Sequence, residues 1–521
     1  MIKNRRRSVF ACGFYVLASL CLQLANSVAQ TSNAPTAVVT LPSLGRIHIS
    51  GITVYDADTA LLYAAGYVRE HHGIYNVPSA AAAIQYLYRE HGYFLAEALV
   101  FTDAGTGFPH IMIDEGVISA IEVFGVEETI GRQVASYFQH LINGHPVTKP
   151  EFERALMLAS DLSGVVVRAE IRHDGAGKRI VTLHVTAARN RVMTVADYGP
   201  RQNTASATLM GEAYSQIVPG DMIRLSIGGS RHFDASDNGI NLALAYRFPL
   251  GNDGTYGEIL TANTRYGRDL SGDLADSRYQ SGRNFIALIG HPFLRNIHEF
   301  FYGFVEYDHA ELDAGSTGTN NDASQAIRLS AYYSSVGHEF GTFRAGLSLT
   351  GGVADTQHAG PIDDQFWHLR AGAGLVLHLD PPNGDYSLRI EGMGQLTSAA
   401  LPATEKFYLG DRDRMRGYNI ATALGDSGAA GTIELSRYFS IEGDFFKAAS
   451  PSVFFDTGIV QSNVAYPTKY SSKTLASTGI ATRLFLRDNF NLSGWVALPL
   501  VEDDRDSYMK PAAYIRLTKV W

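Results

Sequence analysis

The sequence predicts α+β modules of β-α-α-β-β order followed by a 16-stranded antiparallel transmembrane β-barrel. Three observations carry this expectation. The order strand, helix, helix, strand, strand occurs twice between residues 46 and 189, the helical period vanishes from Asn190 onward, and sixteen strand candidates then run to Trp521. Composition agrees: 51 glycines and 11% aromatic residues against 18% charged residues in 521 suit a chain of many strands and turns.

Residues 1–29 are predicted to be a signal peptide. Lys3, Arg5, Arg6 and Arg7 form a basic start, "SVFACGFYVLASLCL" an apolar centre too short to span a bilayer, and Ser27, Val28 and Ala29 a small-residue cleavage site. Both cysteines, Cys12 and Cys21, fall within it, so the exported chain is expected to lack disulfides. Loss of the four basic residues moves the formal charge from −9 to −13, which disfavours a nucleic-acid partner. Residues 30–45 are a short N-terminal segment. Pro35, Pro42 and β-branched residues disfavour a long helix there, so no N-terminal plug of the barrel is expected.

The first module, 46–116, reads as strand "RIHISGITV", helices "DADTALLYAAGYVREHHG" and "PSAAAAIQYLYREHG", and strands "YFLAEALVF" and "PHIMID". The second, 117–189, reads as strand "VISAIEVFG", helices "EETIGRQVASYFQHLING" and "TKPEFERALMLASDLSG", and the hairpin "VVVRAEIRHD" with "KRIVTLHVTAA".

Residues 190–521 are the predicted barrel. Strands are expected to begin near Arg191, Ser206, Asp221, Gly239, Tyr256, Arg283, Glu299, Ser324, Thr342, Phe366, Asp385, Gly428, Ser450, Thr474, Phe490 and Pro511. No later stretch approaches 18 consecutive apolar residues, and only a closed barrel lets strands cross a bilayer with every backbone group paired. In "FWHLRAGAGLVLHL" Trp367, Leu369, Leu375, Leu377 and Leu379 share one face and His368, Arg370 and His378 the other, as lipid outside and water inside require. Long connections at 268–282, 311–323 and 396–427 follow odd-numbered strands, the asymmetry of outer loops and inner turns.

Two stretches carry the candidate site. "LGDRDRMRGYNIA" at 409–421 sets a charged knot in the longest connection, and "VFFDTGIV" puts Asp456 in an otherwise apolar strand. If Phe455 and Thr457 face outward, Asp456 faces the interior, where a carboxylate needs a cation or water. Arg416, on a loop long enough to fold inward, offers a planar fork for it. The bland alternative is a solvated outer loop.

These motifs resemble the Omp85 superfamily. "LGDRDRMRGY" is similar to L-G-G-x-x-x-x-R-G-[YF] of its sixth outer loop, with Asp411 at the second glycine, and "FFDTG" to F-x-D-x-G of its thirteenth strand. The tandem modules look like POTRA domains, and two of them suggest the two-partner secretion transporters, the ShlB/FhaC/HecB-like haemolysin secretion/activation proteins. The resemblance implies that Arg416 and Asp456 lock the folded-in loop to the wall. Leu409, Gly410, Gly417, Tyr418, Phe454 and Gly458 would shape that contact. It also implies that cargo adds a strand to the second-module edge, Val165, Val166, Val167, Arg168, Ala169, Glu170, Ile171 and Arg172, with 94–101 the matching edge of the first module.

The function implied is an outer-membrane transporter with POTRA domains in the periplasm. It would recognise an unfolded secreted partner exoprotein, of the large β-helical haemolysin/haemagglutinin-like class, and pass it to the cell surface. No enzyme activity, cofactor or metal is expected. Outer-membrane lipid is a partner, as is the barrel assembly machinery, which would read Trp521 as a C-terminal signal. The alternatives are a specialised outer-membrane protein assembly factor of the same superfamily, or a passive porin or adhesin. "GDSGAAG" around Ser427 suggests a serine nucleophile, but it falls at a barrel loop with no supporting His-Asp pair. "EHHG" at 70–73 reads as a helix end rather than a metal site.

Overall fold

In a computed structural model, the structure describes residues 37–41, 45–71, 73–173, 178–199, 204–233, 238–265, 281–313, 322–338, 341–356, 362–379, 385–413, 415–463, 471–502 and 509–521. The expected signal peptide, Arg414 and His72 lie outside them. The chain divides into two compact units, Met1–Gly116 and Val117–Trp521.

The first unit packs helices α1 (Ala57–Glu70) and α2 (Val77–Glu90) on a four-stranded sheet. Asp56 caps α1 by accepting from the Thr59 hydroxyl and, at 2.8 Å, from the Thr59 N–H, and these bonds, the hydroxyl's foremost, hold its carboxyl below the ordinary range. Asn76 and Ser79 form a capping box at α2. Ile47, Ile49, Ile111 and Ile113, alternate residues of two parallel strands, meet Leu61, Ile84 and Leu87 in the core. At the core margin Glu115 accepts the Thr53 N–H at 2.6 Å and the Tyr88 hydroxyl at 2.5 Å, which ties α2 to the end of the last strand. Burial and that carboxylate push the Tyr88 phenol well up.

Two expectations change here. Ala37–Leu41, inside the segment assigned 30–45, is a fourth strand, antiparallel to Gly45–Ser50. The edge strand expected over 94–101 is Glu97–Thr102, because Tyr93, Phe94 and Ala96 are taken up in turn bonds.

The second unit opens with α3 (Glu128–Ser136), α4 (Lys149–Ser160) and a three-stranded sheet of order Ile118–Phe124, Arg179–Ala187, Val165–His173. The helix expected to reach Gly144 stops at Ser136. The Ser136 hydroxyl donates to the Gln133 carbonyl at 2.7 Å, the acceptor an α-helix would give to Tyr137, and the Tyr137 N–H turns to Val134 instead.

Among the described residues sixteen strands, from Asn190–Gly199 to Ala512–Val520, close an antiparallel barrel, and each begins within four residues of its expected start. The thirteenth strand, Phe446–Gln461, shows why: from Ser452 to Gln461 buried and exposed residues alternate without a break, with Val453, Phe455 and Ile459 outside. Leu225, Leu242, Val305, Leu347, Trp367, Ile433, Ile480 and Ile515 extend that apolar outer belt around the barrel.

Short turns of the barrel meet the second module. Asp161, at the end of α4, accepts two bonds from Arg295 at 2.7 Å each and one from the Tyr302 hydroxyl at 2.9 Å. Arg154 donates to the Pro292 carbonyl at 2.8 Å. Gly164 and Gly220 pack where a Cβ would fall within 2.6 Å of Tyr214 and Leu162 respectively.

Candidate functional site

The connection between the eleventh strand (Asp385–Leu396) and the twelfth (Ser427–Ser440) turns back into the barrel. Its stem is a small ladder, Phe407–Leu409 against Ala423–Gly425, rooted by a buried Lys406–Asp426 ion pair of 2.6 Å. The second Asp426 oxygen accepts the Asn463 N–H at 2.7 Å. At the tip Gly410 (φ 102°) and Gly417 (φ 94°) adopt conformations that a side chain disfavours, and a Cβ on Gly410 would lie 2.1 Å from the Asn419 carbonyl oxygen.

The tip brings Arg416 onto the thirteenth strand. Its Nε and Nη2 donate to the two oxygens of Asp456 at 2.9 and 2.8 Å, and its backbone N–H donates to the same carboxylate at 2.9 Å. Nη1 donates to Glu434 of the twelfth strand at 2.8 Å, and the guanidinium lies 3.4 Å from the centre of the Phe454 ring. Arg416 is 4% exposed and Asp456 0%. Gly458, one turn of the pleat beyond Asp456, leaves room for Leu409 and Met415, whose ends would lie 2.7 and 2.8 Å from a Cβ there. The Tyr418 hydroxyl sits between the Ala476 and Val501 carbonyls, 2.8 Å from each.

Further along the tip, Arg412 reaches Asp197 of the first strand at 2.5 Å and lies over the Tyr514 ring of the sixteenth. Its carbonyl accepts from Trp495 of the fifteenth at 2.8 Å. Asp413 lies 3.7 Å from Arg516, itself the register partner of Asp197 across the closing ladder. The loop stem contacts a different sector, through Glu405. The loop therefore touches strands around most of the barrel's inner wall.

Sequence reasoning missed Glu434, Glu405, Asp197 and Arg516. Glu434 was within reach, since Ile433 and Leu435 face outward and period-two alternation sends it inward. Glu405 sits in a stretch without periodicity, so its sequence carried no such signal.

Val165–His173 pairs on one side, with Arg179–Ala187, among the described residues. The Ala188 N–H donates to Gly164 at 2.8 Å, which fixes the phase of the ladder and turns the N–H groups of Val167, Ala169 and Ile171 away from the partner strand. The N–H of Val165 is taken locally by Leu162 at 3.1 Å. Val166 is exposed, Glu170 lies 3.5 Å from His184, and Arg172 pairs with Glu122 at 2.7 Å. The Trp521 ring is exposed, and the Trp521 backbone N–H donates to the Val192 carbonyl at 2.9 Å.

Ser427 exchanges hydrogen bonds with the Thr397 backbone, a strand-end role, and the His71 Nδ1 donates to the Tyr67 carbonyl at 2.9 Å at the end of α1. Among the described residues one trio, His48, Asp103 and His110, brings potential metal-ligand atoms within 4.8 Å of one another. Ser50 already engages the His110 Nε2 at 2.7 Å.

Residues 310–484 match the family model of the haemolysin secretion/activation protein ShlB/FhaC/HecB. The ShlB/FhaC/HecB match contains the whole inward loop and both Arg416 and Asp456. No curated protein matches the chain. Among solved structures, CdiB from Escherichia coli superposes along 100% of both chains at 17% identity with a TM-score of 0.69. CdiB from Acinetobacter baumannii does so along 100% of both at 12% identity with a TM-score of 0.62. BamA from Haemophilus ducreyi lacking POTRA domains 1-3 covers 86% of this chain and 94% of its own at 13% identity, with a TM-score of 0.53. At these identities the likeness is one of fold: α/β modules ahead of a sixteen-stranded barrel.

Proposed function

We propose that this chain is an outer-membrane transporter that takes an unfolded, secreted protein partner from the periplasm through its barrel to the cell surface. The carrying observation is the loop 397–426, folded into the barrel and held at Arg416 by Asp456 and Glu434. A loop so placed occupies the conduit and must yield or shift for a chain to pass. The ShlB/FhaC/HecB match over that same region, and the CdiB-like fold, support the reading.

The apolar belt suits outer-membrane lipid, and the second module, docked on the short turns, belongs on the periplasmic side. There the outward N–H groups of Val167, Ala169 and Ile171 give an extended partner a strand to pair with. Trp521 is the residue offered to the barrel assembly machinery. Folding of the cargo outside lowers its return and gives the movement direction.

The test is co-expression with a candidate exoprotein of the large β-helical haemolysin/haemagglutinin-like class, scoring the exoprotein on the surface and in the medium. Secretion should require this chain. If secretion proceeds without it, while other outer-membrane barrels fail to assemble, the transporter reading is replaced by the assembly-factor one.

A further inference from the structure

Arg416 is not the loop's one buried ionic contact. Eleven residues earlier, Glu405 is 1% exposed inside the barrel. Its Oε1 accepts from Arg328 Nη2 at 2.8 Å, and its Oε2 from Arg328 Nη1 at 3.0 Å and His368 Nε2 at 2.9 Å. Its backbone carbonyl accepts from Arg370 Nη2 and Gln395 Nε2, both at 3.0 Å. Arg328 belongs to the eighth strand (Asp322–His338), His368 and Arg370 to the tenth (Gln365–Leu379).

Arg328 is also held by Asp308 at 2.5 Å and Glu306 at 3.1 Å from the seventh strand, and by Thr350 at 3.2 Å from the ninth. A guanidinium fixed by wall residues and forked onto one carboxylate of the loop is a prepared receptor. His368 is 0% exposed, and with Nε2 donating to Glu405 its other ring nitrogen faces no partner among the described residues, so the neutral tautomer fits the site.

We propose that Glu405 is a second positioning residue, which clamps the loop stem to the wall of strands eight and ten while Arg416 clamps its tip to strands twelve and thirteen. The loop is thereby held at two sectors of the barrel, and opening requires both clamps to release. This inference rests on the proposed reading of the loop as the occluding element.

The experiment uses the purified full-length protein in planar bilayers. Glu405→Gln keeps the shape and removes the charge that the Arg328 fork and His368 share. The open fraction of single channels should rise about tenfold or more, the effect of losing charged hydrogen bonds. Ser324 Oγ and Thr404 Oγ1 lie 2.8 Å apart beside the clamp, so Ser324→Cys with Thr404→Cys supplies a reversible tether. Oxidation should return the Glu405→Gln channel to the wild-type open fraction, and reduction should release it again.

Wild-type gating in Glu405→Gln, or an oxidised tether that leaves its opening unchanged, overturns the clamp. Arg416→Ala measured beside it separates the two ideas. Opening in Arg416→Ala but not in Glu405→Gln removes the clamp and keeps the tip contact, and the converse keeps the clamp and removes the tip contact. A silent pair removes both.

Discussion

Replacing either member of the Arg416–Asp456 pair should release the loop tip, and the two replacements should not be equal. Arg416→Ala leaves Asp456, 0% exposed, with no cation among the described residues, and with the residue-416 backbone N–H as its remaining donor there. Asp456→Ala leaves Arg416 its bond to Glu434 at 2.8 Å and its place on the Phe454 ring. Breaking a buried pair costs about 3–5 kcal/mol, so Arg416→Ala belongs near the upper figure and Asp456→Ala near the lower. At about 1.4 kcal/mol per decade these shift the docking equilibrium by nearly four and by roughly two orders of magnitude.

A cysteine at Ala423, 0% exposed and packed in one buried cluster with Met415 and Tyr418 of the tip, reports tip docking through its rate of labelling by a water-soluble maleimide in outer-membrane vesicles. Cys12 and Cys21, the chain's two cysteines, are replaced beforehand. Labelling should accelerate in both variants, more in Arg416→Ala, with secretion falling in parallel while the barrel stays assembled. Unchanged labelling in both would refute the lock. Faster labelling in Asp456→Ala than in Arg416→Ala would refute the reasoning about which charge is left unpaired.

Three further outcomes are expected. Ala169→Pro deletes an outward N–H without changing charge or the ladder to Arg179–Ala187, so crosslinks from this strand to a stalled cargo should drop while thermal stability holds; undiminished crosslinks would exclude strand addition here. Gly410→Ala, with a Cβ 2.1 Å from a backbone oxygen at φ 102°, should cost about 1–3 kcal/mol and expose the same Ala423 probe, which a wild-type labelling rate would contradict. The Asp56 cap, whose carboxyl is held below its ordinary 3.8, supports α1 fully above about pH 4 and is lost as pH falls through the lowered value. Amide exchange of residues 57–60 should therefore quicken, beyond the intrinsic pH effect, on going from pH 6 to pH 3, and Asp56→Asn should abolish that excess.

Much of the barrel was legible because its physics is periodic. Lipid on one face and water on the other force alternation, so a strand such as Phe446–Gln461 announces both its span and the inward direction of Asp456. Arg416 needed the motif, since nothing local to a charged loop says that it folds inward. Ala37–Leu41 was hidden by Pro35 and Pro42, which read as breakers although both lie outside the strand itself. The helix end at Ser136 turned on one hydroxyl outcompeting a backbone N–H, a contest between two acceptable bonds that propensity does not rank. Arg328 and His368 are inward positions of their strands, but their meeting at Glu405 depends on the path of a loop.

The charges at Arg412 and Asp413 bear on the order in which the molecule is built. The ladder that closes the barrel joins residues as distant as Met193 and Val520 and contains six register pairs. For a free chain, bringing such ends together costs about 5 kcal/mol of entropy on the (3/2)RT ln n scale, before any pairing of the strands between them offsets it. Arg412 holds Asp197 on one of these strands and Asp413 lies beside Arg516 on the other, so an inward loop gives both a shared template part-way along the sequence. One very long closure becomes two shorter ones, from the loop forward to the last strand and back to the first. On that route the loop is inside before the final ladder zips, and a barrel sealed with the loop outside would be a kinetic trap.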